Sequence, residues 1–197
     1  MFENTVGSDA APICNEDARM AALESCGVLD TPDEAVYDAL TELAKTICGT
    51  SIGLISLVDR DRLWFKSRAG LETRQIPREG SFCTSAIDSP NLFQVPNARN
   101  DPRFAQNALV TGPLGIRFYC GVPLLDSSGH RLGMLCVLDQ RARRLSDIQC
   151  NALTQLASVV MYLLENRRKG PELLDLAIVL ERTRDQMKSS KAVTPEN

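Results

Sequence analysis

Residues 52–58 read I-G-L-I-S-L-V and are followed by the polar residues 59–62 and by L-W-F-K-S at residues 63–67. An apolar run, a short charged turn and a second apolar run predict a β-hairpin. A strand with one face in water alternates apolar and polar residues, whereas residues 52–58 are apolar almost throughout. We therefore expect this hairpin to be covered on both faces.

A second hairpin is predicted further along the chain. Residues 118–125 and 131–138 are mostly apolar and flank the turn D-S-S-G-H at residues 126–130. The segment L-G-M-L-C-V-L at residues 132–138 again fails to alternate. Two hairpins that are covered on both faces predict one antiparallel sheet inside the domain, with a separate layer on each side.

Amphipathic helices are available for one side of this sheet. The first is predicted to begin after Asn15, which can act as its N-cap. The second starts with T-P-D-E at residues 31–34, where Thr31 is predicted to cap the helix and Glu34 to complete a capping box. An apolar stripe follows, and Gly49 ends this helix.

A third helix is predicted to begin at Ser146, because S-D-I-Q forms another capping box. We expect Gly170 and Pro171 to break it, since proline lacks the amide proton that a helix interior needs. Residues 171–188 would then form a further amphipathic helix. Its apolar face is too wide for an exposed helix, so this segment either folds back on the domain or pairs in a dimer.

We expect the long connection at residues 70–117 to cover the other side of the sheet. Prolines and glycines interrupt its short apolar pieces, which predicts loops and short helices with a pocket beneath them. The segment D-P-R-F at residues 101–104 is predicted to start a helix with Asp101 as N-cap, and its free amides could hold an anionic or carbonyl ligand. Arg117 and Tyr119 open the next strand and add a guanidinium and a phenol.

Charge and composition limit the partners. The 22 basic and 25 acidic residues argue against a main role in binding nucleic acid or an anionic membrane. The longest nearly unbroken apolar run, residues 156–164, is too short to cross a bilayer. The first ten residues lack the basic and apolar parts of a secretory signal, so we expect a cytoplasmic protein. Seven cysteines without a C-x-x-C pair are expected to be reduced.

The order of many short motifs resembles the GAF domain family, especially the type found in front of bacterial histidine kinases and diguanylate cyclases. The motifs are G-V-L-D-T-P (27–32), I-S-L-V-D (55–59), L-W-F-K-S (63–67), S-F-C (81–83), V-P-N-A-R-N-D-P-R-F (95–104), I-R-F-Y-C-G-V-P-L (116–124), L-G-M-L-C-V-L-D (132–139) and R-R-L-S (143–146). The resemblance implies an α+β, GAF/PAS-like fold: a central antiparallel sheet of five or six strands, helices packed on one face, and a ligand pocket under loops and short helices on the other.

The resemblance also implies boundaries. It places the GAF domain at residues 14–168, followed by the amphipathic helix at residues 171–188 as a dimer or signalling helix. The polar residues 1–13 and 189–197 are expected to be disordered, because chain ends without packing partners usually are.

The function implied by the resemblance is regulatory. Such a domain binds a small molecule, does no chemistry itself, and passes the occupancy of its pocket through the terminal helices of a homodimer to a kinase or cyclase output domain in the same or another chain. Carried over by position, the expected ligand-binding residues are Phe82, Cys83, Asp101, Phe104, Arg117 and Tyr119. No catalytic residue, metal ligand or cofactor is expected.

Alternatives within the family stay open. Some GAF proteins reduce free methionine sulfoxide with cysteines, and Cys83, Cys120 and Cys136 could form such a set, although the cysteine that those enzymes carry shortly after the first is missing here. Other relatives attach a bilin to a cysteine beside a histidine. The single histidine, His130, lies in a predicted turn, so a bilin is not expected. A domain that only dimerises, with a collapsed pocket, is the third alternative.

Overall fold

The computed structural model describes the backbone of residues 15–191 and the side chains of residues 15–170. The helices are α1 (Glu16–Ser25), α2 (Ala35–Cys48), α3 (Phe82–Ala86), α4 (Ala108–Thr111) and α5 (Asp147–Lys191). The strands are β1 (Ile52–Val58), β2 (Arg62–Ala69), β3 (Gln75–Pro77), β4 (Phe93–Val95), β5 (Phe118–Leu125) and β6 (Arg131–Asp139). The predicted disordered segment 1–13 lies outside the described residues, as do Cys14 and residues 192–197 of the predicted tail.

The strands form one sheet in the order β3-β2-β1-β6-β5-β4, and every neighbouring pair is antiparallel. Both predicted hairpins are present, as β1 with β2 and as β5 with β6. All seven residues of β1 are buried, and so is β6 after its first residue. Burial on both faces explains why these strands do not alternate apolar and polar residues.

Two apolar layers lie on opposite faces of the sheet. The helix-side core joins α1, α2 and α5 to the sheet and includes Ile55 and Cys120. The cover-side core joins the sheet to residues 71–116 and includes Leu54 and Tyr119. Neighbouring residues of one strand therefore enter different layers, as the two-residue period of a strand requires. The predicted α+β fold is confirmed.

Two predicted helix starts are confirmed by their caps. Asn15 Oδ1 accepts hydrogen bonds from the amides of Asp17 and Ala18 at the start of α1. At the start of α5, Ser146 Oγ accepts from the Gln149 amide at 3.3 Å, and Gln149 Oε1 accepts from the Ser146 amide at 3.0 Å. This reciprocal pair is the predicted capping box.

The predicted capping box at Thr31 is wrong. Helix α2 begins at Ala35, and Glu34 takes the cap position with an extended backbone and no capping side-chain bond. Thr31 instead donates its hydroxyl to Val28 O at 2.7 Å. The side chains of Thr31 and Glu34 are thus available to a neighbouring strand.

That neighbour is Lys66 on β2. The pairing of β1 with β2 shifts at Lys66 and leaves it without an opposite residue, as in a β-bulge. Its side chain is fully buried and donates to Thr31 Oγ1 at 2.9 Å, to Pro32 O at 2.8 Å and to Glu34 Oε1 at 2.6 Å. A buried charge needs such partners, so Thr31 and Glu34 bind the ammonium rather than the helix amides.

The predicted break at Gly170 and Pro171 is also wrong, because α5 continues from Asp147 to Lys191. An interior proline removes one main-chain hydrogen bond and costs about 3 kcal/mol, but the turns on either side of it keep theirs. The predicted helix at residues 171–188 is therefore a continuation of the helix that packs on the sheet. Within residues 15–191, none of the helices combines the length and the hydrophobicity of a bilayer-spanning segment.

Candidate functional site

A small cavity lies between the sheet and its cover. Its volume is about 40 Å³, enough for roughly two or three water molecules. Strands β1, β2, β5 and β6 form its floor, while α3, the segment after β2 and the segment around α4 form its roof. The lining residues are Ile52, Leu54, Leu63, Phe65, Leu71, Thr73, Ile76, Ser81, Phe82, Cys83, Leu109, Leu114, Ile116, Tyr119, Cys136 and Leu138. None of these residues is an aspartate, glutamate, lysine, arginine or histidine.

The lining of the cavity is closest to solvent in the cover. Leu71 and Ile76 on one side and Leu109 and Leu114 on the other are only partly buried, whereas the strand residues beneath them are buried. A ligand that enters from solvent therefore passes between these aliphatic side chains.

Two thiols and a phenol meet on the buried side of the cavity. Cys83 lies on α3, Tyr119 on β5 and Cys136 on β6. The Tyr119 hydroxyl donates to Cys83 Sγ at 3.4 Å, and the sulfurs of Cys83 and Cys136 are 4.0 Å apart. All three side chains are buried. This thiol–phenol cluster connects the cover to two central strands.

Hydrogen bonding and burial shift the pKa values of the two thiols in opposite directions. A hydrogen bond from the Cys136 thiol lowers the pKa of Cys83, and the Tyr119 hydroxyl adds to this effect, while burial opposes it. The same bond, together with burial, raises the pKa of Cys136. Burial raises the pKa of Tyr119. Cys83 is therefore the thiol that loses its proton more readily.

Gly121 is absent from the predicted site, yet it makes room for the phenol. The Tyr119 side chain lies along β5 over Gly121, where a Cβ would fall 2.9 Å from Tyr119 Cζ and closer still to the hydroxyl oxygen. A glycine inside a strand marks this kind of close approach. Its position in F-Y-C-G-V is the sequence signal that could have identified it.

Phe82 and Phe104 are both predicted to bind ligand, and both belong to one aromatic cluster. Phe82 lines the cavity, and its ring stacks on Tyr119 with the ring centroids 5.1 Å apart. Phe104 packs behind Phe82, with a centroid distance of 4.5 Å, and lies outside the cavity lining. Phe93 contacts Tyr119 edge-on at 6.1 Å. The cluster fastens the cover to the sheet.

Asp101 and Arg117 lie away from the cavity. The predicted helix start at Asp101 is wrong: the chain makes turns there, and the Asp101 carboxylate accepts hydrogen bonds from the amide of Arg103 at 3.0 Å and from its guanidinium at 2.6 and 2.9 Å. Arg117 precedes β5 and donates to the carbonyl oxygens of Val110 and Ile116 at 2.9 and 3.1 Å. Both side chains hold loops of the cover in place. A role of any of the six residues in ligand binding stays a prediction.

Cys120 does not join Cys83 and Cys136, with which it could have formed the cysteine set of a reductase. Cys120 faces the helix-side core, where Cys48 and Cys150 are its thiol neighbours, and burial raises its pKa. Cys136 faces the cover. A disulfide between Cys83 and Cys120 would therefore have to pass through the sheet. The six described cysteines are free thiols.

An antiparallel sheet with helices on one face and a cavity under short helices and loops on the other defines the GAF/PAS-like class of α+β domains. Within this class, the chain belongs to the GAF domain family, whose family model matches residues 32–164. The match includes both hairpins, the whole cover and the first turns of α5. The assignment that the short motifs suggested is confirmed.

A curated relative is a cyclic di-GMP phosphodiesterase of Pseudomonas aeruginosa, which is 38% identical to this chain over 148 residues. The matched segment covers 75% of this chain and 25% of the phosphodiesterase. The chain thus spans about a quarter of the length of that relative.

Two solved structures share the fold. The GAF domain of an Acinetobacter phosphoenolpyruvate-protein phosphotransferase matches with a TM-score of 0.59 at 13% identity, covering 79% of this chain and 95% of that domain. A free methionine-R-sulfoxide reductase of Neisseria meningitidis matches with a TM-score of 0.56 at 20% identity, covering 80% of this chain and 95% of the reductase. At these identities the likeness concerns the fold alone.

Proposed function

We propose that this GAF domain is a non-catalytic regulatory domain that senses a small molecule in the cavity under α3 and passes its occupancy to α5. The observation that carries the proposal is the position of the cavity. It lies between the central strands and an irregular cover, and α5 packs on the opposite face of the same strands. The domain needs no metal or bilin for this role.

The lining defines the chemical class of the ligand. Its side chains are aliphatic, aromatic or sulfur-containing, with hydroxyl groups only at Thr73, Ser81 and Tyr119. An ion without a partner is costly to bury. The ligand we propose is therefore neutral and largely apolar, with a hydrogen-bonding group directed at one of these hydroxyls. The anionic ligands suggested by Asp101 and Arg117 lose support, since both side chains bind elsewhere.

Because the cavity is small, the cover has to move when a ligand binds. A volume of about 40 Å³ is too small for a molecule the size of an amino acid or a nucleotide, so a ligand of that size must displace part of the roof. Helix α3 has five residues and α4 has four, and loops connect both to the rest of the cover. The strands beneath are paired on both sides. Ligand binding would thus favour an open arrangement of the cover over a closed one.

Strand β5 connects the cavity to the long helix. Tyr119 lines the cavity, while its neighbours Phe118 and Cys120 enter the core that includes α5. At a second point, Arg167 of α5 donates to Glu34 Oε1 at 2.7 Å and to Gly27 O at 3.1 Å. A displacement of β5 would move α5 relative to Glu34 and Gly27, to which Arg167 holds it.

A homodimer formed through the terminal helices, with an output domain, completes the proposal. Exposed apolar side chains on the helices support an interface. They are Val36, Leu43, Ile47, Ile148, Val159 and Tyr162. The relatedness to a cyclic di-GMP phosphodiesterase supports an output that acts on a signalling nucleotide, besides the kinase or cyclase that the motifs suggest. We place the domain in the cytoplasm, with its output in the same or a separate chain.

Native mass spectrometry of the purified chain tests the sensor role. We expect one neutral compound per domain, released on denaturation and identifiable in the supernatant. Leu138→Phe, which places extra carbon atoms in the cavity, should abolish retention, whereas Ser85→Ala on the exposed side of α3 should not. A chain that is empty and that no neutral metabolite stabilises against heat would refute the proposal.

A second candidate is a thiol-dependent reductase of free methionine sulfoxide, favoured by the 4.0 Å separation of the Cys83 and Cys136 sulfurs. The lining argues against it, because that substrate carries an ammonium and a carboxylate and none of the described lining residues can pair with either charge. Formation of methionine from the free sulfoxide, with a dithiol as reductant, distinguishes the two. Turnover by the wild type that Cys83→Ser abolishes would establish the reductase.

A further inference from the structure

Cys83 and Cys136 are placed for a bond that the proposed sensor role does not use. Their sulfurs lie 4.0 Å apart in a buried contact, and a disulfide requires about 2.05 Å. The sulfurs therefore need to approach each other by about 2 Å. We propose that these two cysteines are an oxidant-reactive pair, which a small hydroperoxide converts into an intramolecular disulfide that closes the cavity.

The cover can supply this movement. Cys136 is held in the middle of the sheet, paired with Leu54 of β1 on one side and with Gly121 of β5 on the other. Cys83 lies on α3, a helix of five residues that packs on the sheet through Phe82. Because one sulfur is fixed in paired strands and the other is on a short helix of the roof, the bond draws α3 toward β6.

The cavity brings an oxidant to both sulfurs and limits its size. Cys83 and Cys136 both line the cavity, and a volume of about 40 Å³ admits a molecule that occupies the space of roughly two or three waters. Hydrogen peroxide is of that size, whereas alkyl hydroperoxides with bulky groups and free methionine sulfoxide are larger. Cys48, Cys120 and Cys150 lie on the other side of the sheet and do not line this cavity.

The oxidation proceeds in two steps, and Cys83 reacts in the first because of the hydrogen bond that its sulfur accepts. Its sulfur accepts a hydrogen bond from the Tyr119 hydroxyl at 3.4 Å, which favours the thiolate of Cys83, and the Cys136 sulfur lies 4.0 Å away. Cys83 Sγ attacks one oxygen of hydrogen peroxide and the O–O bond breaks. One oxygen stays on Cys83 as a sulfenic acid, and the other leaves as water with the proton that Cys83 gave up.

Cys136 then completes the reaction. Its sulfur bonds to Cys83 Sγ, the S–O bond breaks, and the hydroxyl group leaves as a second water with the proton of Cys136. The two sulfurs lose two electrons in total, and the two peroxide oxygens gain them. A dithiol reductant returns both thiols by supplying two electrons and two protons.

The disulfide would change the sensor site. Its formation draws Cys83 into the cavity floor, so the roof moves toward the strands and the space for a ligand decreases. Oxidation and ligand occupancy would then exclude each other. The thiol chemistry itself requires no ligand, so it can be tested even if the sensor proposal fails.

Peptide mapping of the full chain tests the proposal directly. The reduced protein is treated with a small excess of hydrogen peroxide, its remaining thiols are alkylated under denaturing conditions, and it is digested with trypsin. Cleavage after arginine separates Cys83 (residues 79–99), Cys120 (residues 118–131) and Cys136 (residues 132–141) into three peptides. We expect a linked pair of the peptides 79–99 and 132–141, with the loss of two hydrogen atoms and full recovery after dithiothreitol.

Variants and a larger oxidant sharpen the test. Cys136→Ser should stop at a sulfenic acid on Cys83 that dimedone traps, and Cys150→Ser, as matched control, should form the disulfide as the wild type does. Circular dichroism checks that each variant folds, and Cys136→Ala replaces Cys136→Ser if it does not. Cumene hydroperoxide should give little or no disulfide. A link that involves other cysteines, or no link while a free thiol added to the same sample is oxidised, would overturn the proposal.

Discussion

Lys66 Nζ lies 2.6 Å from Glu34 Oε1, with the lysine side chain fully buried and that of the glutamate 35% exposed. Arg167 Nη1 binds the same carboxylate oxygen at 2.7 Å. A single carboxylate thus joins β2, the start of α2 and the long helix α5. Separate substitutions of Lys66 and Glu34 can measure how much each residue contributes to stability.

We expect Glu34→Gln to lower the free energy of unfolding by about 2 kcal/mol, because the buried Lys66 ammonium then keeps only neutral partners. Lys66→Met should cost less, since it removes the buried charge itself and leaves Glu34 bound to Arg167. Urea denaturation followed by circular dichroism measures both variants. If Lys66→Met is the more destabilising of the two, burial of an unpaired charge is not the dominant cost.

The same pair predicts a dependence on pH. The hydrogen bond from Lys66 lowers the pKa of Glu34 below its ordinary value near 4.5. The folded state therefore binds this proton less tightly than the unfolded state, so the carboxylate stabilises the fold above that value and the stabilisation is lost as the pH falls through the lowered pKa. The difference in unfolding free energy between the wild type and Glu34→Gln should be full at neutral pH and shrink below about pH 4.

The control for this measurement is the variant itself, which lacks the Glu34 titration but keeps the other paired carboxylates. One of these is Glu16, whose pKa Arg19 and Arg78 lower to about 2. It titrates in both proteins and cancels in the difference. A difference that stays constant from neutral pH into the acid range would contradict the assignment of the contact to the charged form of Glu34.

Gly121→Ala should destabilise the domain by about 1–3 kcal/mol, the usual cost of an added group in a packed core. The new methyl group would lie 2.9 Å from Tyr119 Cζ and 3.1 Å from Met134 Cε. Tyr119→Phe removes the hydroxyl that lies closest to it and should recover part of the loss, as denaturant titrations of the single and double variants can show. Gly133→Ala is the matched comparison on β6. Its methyl group meets the main-chain oxygen of Ser56, which cannot move aside, so Gly133→Ala should destabilise the domain more than Gly121→Ala does.

The four strands of the two hairpins could be predicted from the sequence because their signal is local, whereas the three-residue strands β3 and β4 are not placed by it. The run at residues 52–58 is bounded by a glycine and a charged turn, and its burial on both faces is visible as missing alternation. The Ser146 cap is local in the same way. The predicted capping box at Thr31 does not form because Glu34 binds Lys66, which is more than thirty residues away in sequence. A contact at that separation cannot be read from a four-residue motif.

The site is predicted less completely than the fold for a related reason. Phe82, Cys83 and Tyr119 do line the cavity, but Arg117 stands just before the strand and turns its guanidinium to the carbonyl of Val110. Which face of a strand a residue occupies could have been derived from alternation, and this would have assigned Cys120 to the helix side. Which loop an arginine binds depends on the path of the cover, and no periodic pattern encodes that path.

Phenylalanine substitutions at two leucines of β6 should have different costs. Leu138 lines the cavity, whereas Leu135 is fully buried in the helix-side core. We expect Leu138→Phe to be nearly neutral for stability, because part of the larger ring occupies existing space, and Leu135→Phe to cost about 1–3 kcal/mol by overpacking. Thermal denaturation of both variants measures this. Equal destabilisation would indicate that the cavity is too narrow to accept even part of a side chain.

Arg167 allows the proposed relay to be tested separately from the proposed binding site. Its guanidinium holds α5 to Glu34 and to the Gly27 carbonyl, and it lies on the far side of the sheet from the cavity. Arg167→Ala should therefore leave ligand retention unchanged while hydrogen exchange of the α5 amides around residue 167 becomes about tenfold faster, equivalent to about 1.4 kcal/mol of local opening free energy. Lys169→Ala, at a neighbouring exposed position of the same helix, is the control. Unchanged exchange in Arg167→Ala would mean that packing on β5 and β6 alone fixes the helix, and the relay would then have to run through that packing.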